Sequence, residues 1–95
     1  MNQRSIQNLI KGALPGEKHF DFEFPHQPSN RLFFRIKFSY QGMRYFVTFS
    51  QQLGKNLQVQ HFSHCPPELG FFITPKETHP VQTKIETYIK KFEIR

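Results

Sequence analysis

The feature that most constrains the fold is a pair of alternating runs on either side of Gln41-Gly42. Residues 32–40 and 43–50 each place a large apolar residue at every second position. A two-residue turn with glycine in second place is typical of a β-hairpin, and here it pairs residues whose numbers sum to 83. Side chains alternate between the two faces of a strand, so this register predicts one apolar face. Its members are Phe34, Ile36, Phe38, Tyr40, Met43, Tyr45, Val47 and Phe49.

Two further elements are predicted before the hairpin. In residues 6–14, apolar side chains recur at spacings of three and four, which indicates a short amphipathic helix that Pro15-Gly16 ends. Residues 19–24 alternate between phenylalanine and polar side chains, which predicts a strand that ends at Pro25. A loop is expected over residues 26–30, before the hairpin begins.

A fourth strand is predicted over residues 57–63, and its register has two alternatives. A three-residue connector after the hairpin places Leu57 and Val59 on the core face and turns Gln60 and Phe62 outward. A connector one residue longer would reverse every side chain. The first register is preferred because it buries two aliphatic residues instead of two glutamines.

The last part of the chain predicts a short edge segment and a second helix. The edge segment covers residues 71–74, directly before a proline. Pro80 fits the first turn of the helix, with Thr78 or His79 as the N-terminal cap. The apolar stripe of this helix consists of Val81, Ile85, Tyr88, Ile89 and Phe92.

These elements predict an α+β fold in the order α-β-β-β-β-α. Four antiparallel strands, or five with the edge segment, form a meander sheet, and the N-terminal and C-terminal helices pack on one face of it. Residues 1–95 are expected to form a single domain. Cys65 is the one cysteine, so no disulfide can form within the chain. Because no apolar run is long enough for a membrane span or a signal core, a cytoplasmic protein without a membrane partner is expected.

The uncovered face of the predicted sheet is the candidate binding site. Residues 24–67 contain no aspartate or glutamate, and the whole chain has a formal net charge of +6. Cations and aromatic rings alternate on the outer face of the hairpin. Single-stranded nucleic acid is bound by this combination, because cations contact phosphates and flat rings stack on bases. The candidate binding residues are Phe33, Arg35, Lys37, Arg44, Phe46, Gln60 and Phe62.

A protein-interaction surface is the alternative interpretation of the same face. A small interaction or inhibitory module would dock this face on an acidic partner surface, or on a second copy of the chain to form a homodimer. Asp21 and Glu23 are expected beside Arg35 and Lys37, and cross-strand pairing would then neutralise these cations. The loop of residues 66–75 would cover the outward rings.

The chemically reactive residues do not predict an active site. His61, His64 and Cys65 are the densest group of potential metal ligands, with His79 or His26 as further members. Zinc requires four ligands that converge on one point, and His61 and His64 point to opposite faces of an extended strand. A lone cysteine is more often a small buried residue than a nucleophile. The expectation is a binding protein with no catalytic residues, metal or cofactor, and a metal- or cysteine-dependent enzyme is the remote alternative.

Overall fold

The structure is a computed structural model that describes residues 3–16, 19–25, 31–52 and 54–93. The described elements are α1 (Gln3–Ala13), β1 (Phe20–Glu23), β2 (Arg31–Tyr40), β3 (Met43–Gln52), β4 (Gln58–Cys65) and α2 (Pro80–Glu93). The four strands form one antiparallel sheet in the order β1-β2-β3-β4. The predicted α+β meander is therefore confirmed. The loop predicted over residues 26–30 lies outside the described residues.

The central hairpin has the predicted turn and the predicted register. Gln41 and Gly42 have φ angles of 52° and 82°, and a type I′ turn requires positive φ at both positions. Glycine adopts this conformation freely, whereas a glutamine there is uncommon. The pairs that meet on the core face are Phe34 with Phe49, Ile36 with Val47, Phe38 with Tyr45 and Tyr40 with Met43.

The core lies between this face of the sheet and the two helices. Phe34 and Phe49 are fully buried, and their rings stack with centroids 4.9 Å apart and planes 7° apart. Burial of one such side chain contributes about 1.5–3 kcal/mol. The helices cover these rings with an aliphatic layer that consists of Ile6 and Ile10 from α1, Leu14 directly after α1, and Val81, Ile85 and Ile89 from α2. Because both helices lie on one side, the opposite face of the sheet is left without helical cover.

The N-terminus of α2 is capped by His79, one of the two predicted caps. The backbone N–H of Val81 donates to His79 Nδ1 at 3.1 Å, and the N–H of Thr83 donates to the His79 carbonyl at 3.0 Å. The first bond satisfies a donor that the first turn of a helix otherwise leaves without a partner, and the second is the first regular bond of the helix. Pro80 follows as the first helical residue and lacks the N–H that would need an acceptor. The cap fixes where α2 begins over the sheet.

β4 begins in the preferred register, with Leu57 buried and Val59 opposite Phe49. The next pair is Thr48 with His61, so Gln60 is an extra residue that has no partner on β3. This insertion is a β-bulge, which reverses the alternation of all side chains that follow it.

The prediction that Phe62 points outward is wrong because of this bulge. Phe62 lies opposite Val47 on the core face and is only 4% exposed. Its ring centroid lies 5.6 Å from that of Tyr45 and 5.4 Å from that of His79. A regular ladder from Val59 onward would place this ring in solvent, and the bulge buries it instead. The large apolar area of the ring provides the physical reason for the irregularity.

A short fifth segment lies beside β4. His64 and Ile73 form an antiparallel bridge, in which each N–H donates to the carbonyl of the other at 3.0 and 2.8 Å. This bridge falls within the edge segment predicted over residues 71–74. Before it, the Pro66 carbonyl accepts hydrogen bonds from the N–H groups of Leu69 and Gly70, which closes a tight turn. Within the described ranges, no helix is both long enough and apolar enough to cross a membrane.

Candidate functional site

The face of the sheet opposite the helices, called the outer face below, carries the side chains that alternate with the core residues. In the observed register these are Arg31, Phe33, Arg35, Lys37 and Ser39 from β2, Arg44, Phe46, Thr48, Ser50 and Gln52 from β3, and Gln58, His61, Ser63 and Cys65 from β4. The register thus brings the three predicted cations of the hairpin to one face, as expected.

Four of the side chains around this face form a continuous series of cation and ring contacts, called the cation–ring ladder below. Lys37 Nζ lies 5.6 Å from the ring centroid of Phe46. The ring of Phe46 meets that of Phe72 edge to face, with centroids 6.1 Å apart and planes at 63°. Arg44 Cζ lies 5.6 Å from the Phe72 centroid. Each exposed cation–ring contact contributes about 0.5–1 kcal/mol, so the ladder orders these side chains without removing their charge.

Phe72 is the ladder residue that the sequence did not assign to the site. It comes from the segment after the Pro66–Gly70 turn, which the bridge at Ile73 holds against the edge of the sheet. The loop of residues 66–75 was expected to cover the outward rings, and it does so at Phe46, which Phe72 contacts. The sequence signal for Phe72 was the adjacent pair Phe71-Phe72, in which one ring is half-buried and the other is 58% exposed.

Arg35 differs from the other outer cations because it forms an ion pair with Glu23 of β1. The two residues are cross-strand partners, and their side chains are 39% and 54% exposed. The expected pairing of an acid in β1 with a cation in β2 is therefore confirmed for this pair. Exposed ion pairs contribute only about 0–1 kcal/mol, but this one lowers the charge that Arg35 offers to a ligand. Lys37, which lies opposite Asp21, instead contacts the Phe46 ring.

A polar cleft lies at the end of the sheet away from the Gln41-Gly42 turn. This cleft, called the amide cleft below, is open to solvent and has a volume of about 600 Å³. Arg31 and Lys55 supply its cations, and its side-chain amides belong to Gln52, Asn56, Gln58 and Gln60. None of the described residues that line it carries a carboxylate. The structure thus places Gln60, a predicted site residue, at the bulge and in this cleft.

The remaining predicted site residues occupy different surroundings. Phe33 is half-buried on the outer face, opposite Ser50, and so lies between the cation–ring ladder and the amide cleft. Phe62 is absent from this face because it belongs to the core. Ser63 takes the outward position next to it and donates a hydrogen bond from Oγ to the Phe46 carbonyl at 3.0 Å. This bond ties β4 to β3 under the ladder.

The histidines near Cys65 are divided between the two faces, as predicted. His61 is exposed on the outer face, and its Nε2 lies 3.5 Å from Thr74 Oγ1. His64 faces the helices, where its ring lies 5.2 Å from that of His79. Burial, and next the nearby His64, lower the pKa of His79. Among residues 3–16, 19–25, 31–52 and 54–93, no three His, Cys, Asp or Glu side chains come together to hold a metal ion, and His26 lies outside these ranges.

Comparison of this chain with family models, curated proteins and solved structures finds no match. The proposals below therefore rest on the residues and geometry of the chain itself.

Proposed function

We propose that this chain is a small binding protein that holds single-stranded nucleic acid on the outer face of its sheet. The observation that carries the proposal is the cation–ring ladder, in which Lys37 and Arg44 flank the rings of Phe46 and Phe72. Proteins that bind single strands combine a positive surface for the backbone with aromatic side chains for the bases. The ladder offers both kinds of group within one patch.

The charge around the ladder favours a polyanionic ligand. Lys37 and Arg44 are exposed, and β2, β3 and β4 contain no acidic residue. The acids nearest in the register are Asp21 and Glu23 on β1, and Glu23 is already paired with Arg35. Phosphates would therefore meet uncompensated positive charge toward β3 and β4. Such an attraction is screened by salt, since the groups are exposed.

The rings of the ladder favour unpaired bases. Phe46 and Phe72 are half-buried and meet edge to face, so their positions are constrained before any ligand arrives. Phe71, next in sequence to the ladder, is 58% exposed and offers a further ring at its border. A base stacked on one aromatic side chain contributes roughly 1–3 kcal/mol. Bases within a duplex have no free faces to offer, which is why the proposal specifies single strands.

Charge reversal within the ladder tests this function. Fluorescence anisotropy with labelled single-stranded octamers measures affinity between about 50 and 200 mM salt. The double variant Lys37→Glu/Arg44→Glu is expected to bind at least about tenfold more weakly, because two attractions become repulsions. Affinity for a single strand falls with added salt, with a slope of log K against log salt of about −0.7 for each phosphate contact. Loss of two contacts should therefore make this slope less steep by about 1.4.

The matched control reverses two exposed lysines on the helical side of the protein. Lys11→Glu/Lys91→Glu makes the same change in net charge, on α1 and α2. If both double variants lose affinity equally, the attraction belongs to total charge and the outer face is not the binding surface. Circular dichroism confirms that each variant is folded before its affinity is compared.

A protein-interaction module is the second candidate, and two exposed apolar residues favour it. Leu69 and Phe71 are 45% and 58% exposed on the turn beside the ladder. Exposed apolar groups next to cations suit an acidic protein surface or a second copy of the chain. Light scattering after size exclusion, at two concentrations, detects a homodimer. A strict monomer that binds no oligonucleotide would favour a different protein as the partner.

A further inference from the structure

We propose that the amide cleft is a subsite that prefers purine nucleotides within a bound single strand. This inference rests on the proposed function, and it adds base selectivity to a face whose ladder is not selective. Rings stack on any base, because every base has a π-face. Discrimination requires hydrogen bonds to base edges, and the amide cleft holds the side chains that form them.

The composition of the amide cleft determines the class of base. A glutamine or asparagine amide can pair in two places with the N6 and N7 atoms of adenine, and arginine or lysine can pair with O6 and N7 of guanine. Gln52, Asn56, Gln58 and Gln60 supply the amides, and Arg31 supplies a guanidinium. A carboxylate is the side chain that best accepts from the N4 amino group of cytosine, and none of the described residues that line this cleft carries one. Both pairings above use N7, an atom that only purines have, so these donors and acceptors match purines.

The amide cleft is held in shape by the backbone around it. The N–H of Lys55 donates to the Gln52 carbonyl at 2.9 Å, and Gln51 Nε2 donates to the Lys55 carbonyl at 3.0 Å. Gly54 completes this turn with a φ of 79°, a conformation that glycine adopts without strain. Across the cleft, the bulge sets the direction of Gln60, as bulges commonly do at binding sites. A turn and a bulge of defined geometry thus reduce the ordering that a ligand would have to impose.

The amide cleft also lies where a strand on the ladder would reach it. Phe46 of the ladder and Ser50 at the cleft are four residues apart on β3. At about 3.4 Å per residue this separation is about 14 Å, so a short oligonucleotide can contact both sites. The volume of about 600 Å³ lies within the range of small-ligand sites, which is sufficient for one nucleotide.

Anisotropy with labelled (dA)8 and (dC)8 tests the subsite. The protein is expected to bind (dA)8 at least fivefold more tightly than (dC)8. The variant Gln58→Ala/Gln60→Ala is expected to bring this ratio close to one, because it weakens (dA)8 binding more than (dC)8 binding. The control Gln7→Ala/Gln82→Ala removes two amides from the helices and should keep the ratio.

The possible results separate this inference from the function on which it rests. Equal binding of both octamers, or a preference for (dA)8 that survives in Gln58→Ala/Gln60→Ala, would overturn the purine subsite. Neither result would contradict the binding of single-stranded nucleic acid on the outer face. Absence of binding to either octamer at about 50 mM salt would overturn both. An independent readout is the amide NH₂ signals of the cleft in NMR spectra, which should shift on addition of (dA)8 and not of (dC)8.

Discussion

Deletion of Gln60 provides the sharpest test of how β4 is built. Val59 pairs with Phe49 and His61 pairs with Thr48, so Gln60 has no pairing partner on β3. Its deletion would join Val59 directly to His61 and leave every later side chain on its present face. The shortened strand is therefore expected to fold with Phe62 still in the core. In a regular strand, the same deletion would turn Phe62 into solvent.

The free energies for these two outcomes differ enough to be separated. Phe62 is 4% exposed and packs between Tyr45 and His79. Removal of such a ring from a core costs about 3–5 kcal/mol, as the variant Phe62→Ala would show. Deletion of Gln60 is expected to cost about 1 kcal/mol, which is common for a change away from the core. For a chain of this size, 1 kcal/mol shifts Tm by about 4–8 °C, so the two variants should differ by at least about 8 °C.

Urea denaturation and thermal melting of three variants measure this difference. Beside the Gln60 deletion and Phe62→Ala, the third variant deletes Ser63, the outward residue that directly follows Phe62 in β4. That deletion would reverse His64, break its bridge to Ile73 and remove the bond from Ser63 Oγ to the Phe46 carbonyl, so a larger loss is expected. A Gln60 deletion as damaging as Phe62→Ala would show that the bulge is required for the core and refute the reasoning.

Three further predictions concern α2 and its contact with α1. His79→Ala should destabilise the protein by about 1 kcal/mol through loss of the N-terminal cap, whereas His79→Asn retains an acceptor and should lose less in urea melts. Because burial and His64 lower the pKa of His79 below its ordinary value of 6.5, the unfolded chain binds a proton first as the pH falls. Stability is then full above pH 6.5 and decreases below it until the folded pKa is passed, and His79→Asn should flatten this decrease. Gly12→Ala should not give the usual gain of about 1 kcal/mol, since its Cβ would lie 2.4 Å from Tyr88 Oη, and the gain should appear when Tyr88→Ala is also present.

The hairpin and the helices could be predicted because local patterns determine them. A turn with glycine at its second position fixes the register of both flanking strands, and the alternation on either side agrees with it. The pairing of Glu23 with Arg35 followed from the same register once β1 was placed next to β2. The cap at His79 was one of two candidates that the position of Pro80 allowed.

Phe62 and Phe72 could not be assigned because their positions depend on non-local choices. Over residues 57–62, Leu57 and Val59 are apolar at odd positions and Phe62 at an even one, so no regular strand can bury all three. A change from odd to even apolar positions within one strand indicates a bulge, and this change was the sequence signal that could have placed Phe62 in the core. The place of Phe72 depends on the bridge between Ile73 and His64, which returns a loop to the sheet edge. The sequence predicted an edge segment over residues 71–74 and a loop over the outward rings, but no local pattern there specifies that Phe72 is the ring that contacts Phe46.

The bulge connects the stability of this protein to its proposed selectivity. One extra residue lets Val59 and Phe62 both reach the core, and the same residue, Gln60, becomes a wall of the amide cleft. Without Gln60, β4 would keep its core side chains and lose an amide and the local distortion that aims it. The Gln60 deletion is therefore expected to keep most of its stability and its binding to (dC)8 while its preference for (dA)8 decreases. A stable deletion variant with an unchanged preference would show that the bulge does not contribute to selectivity.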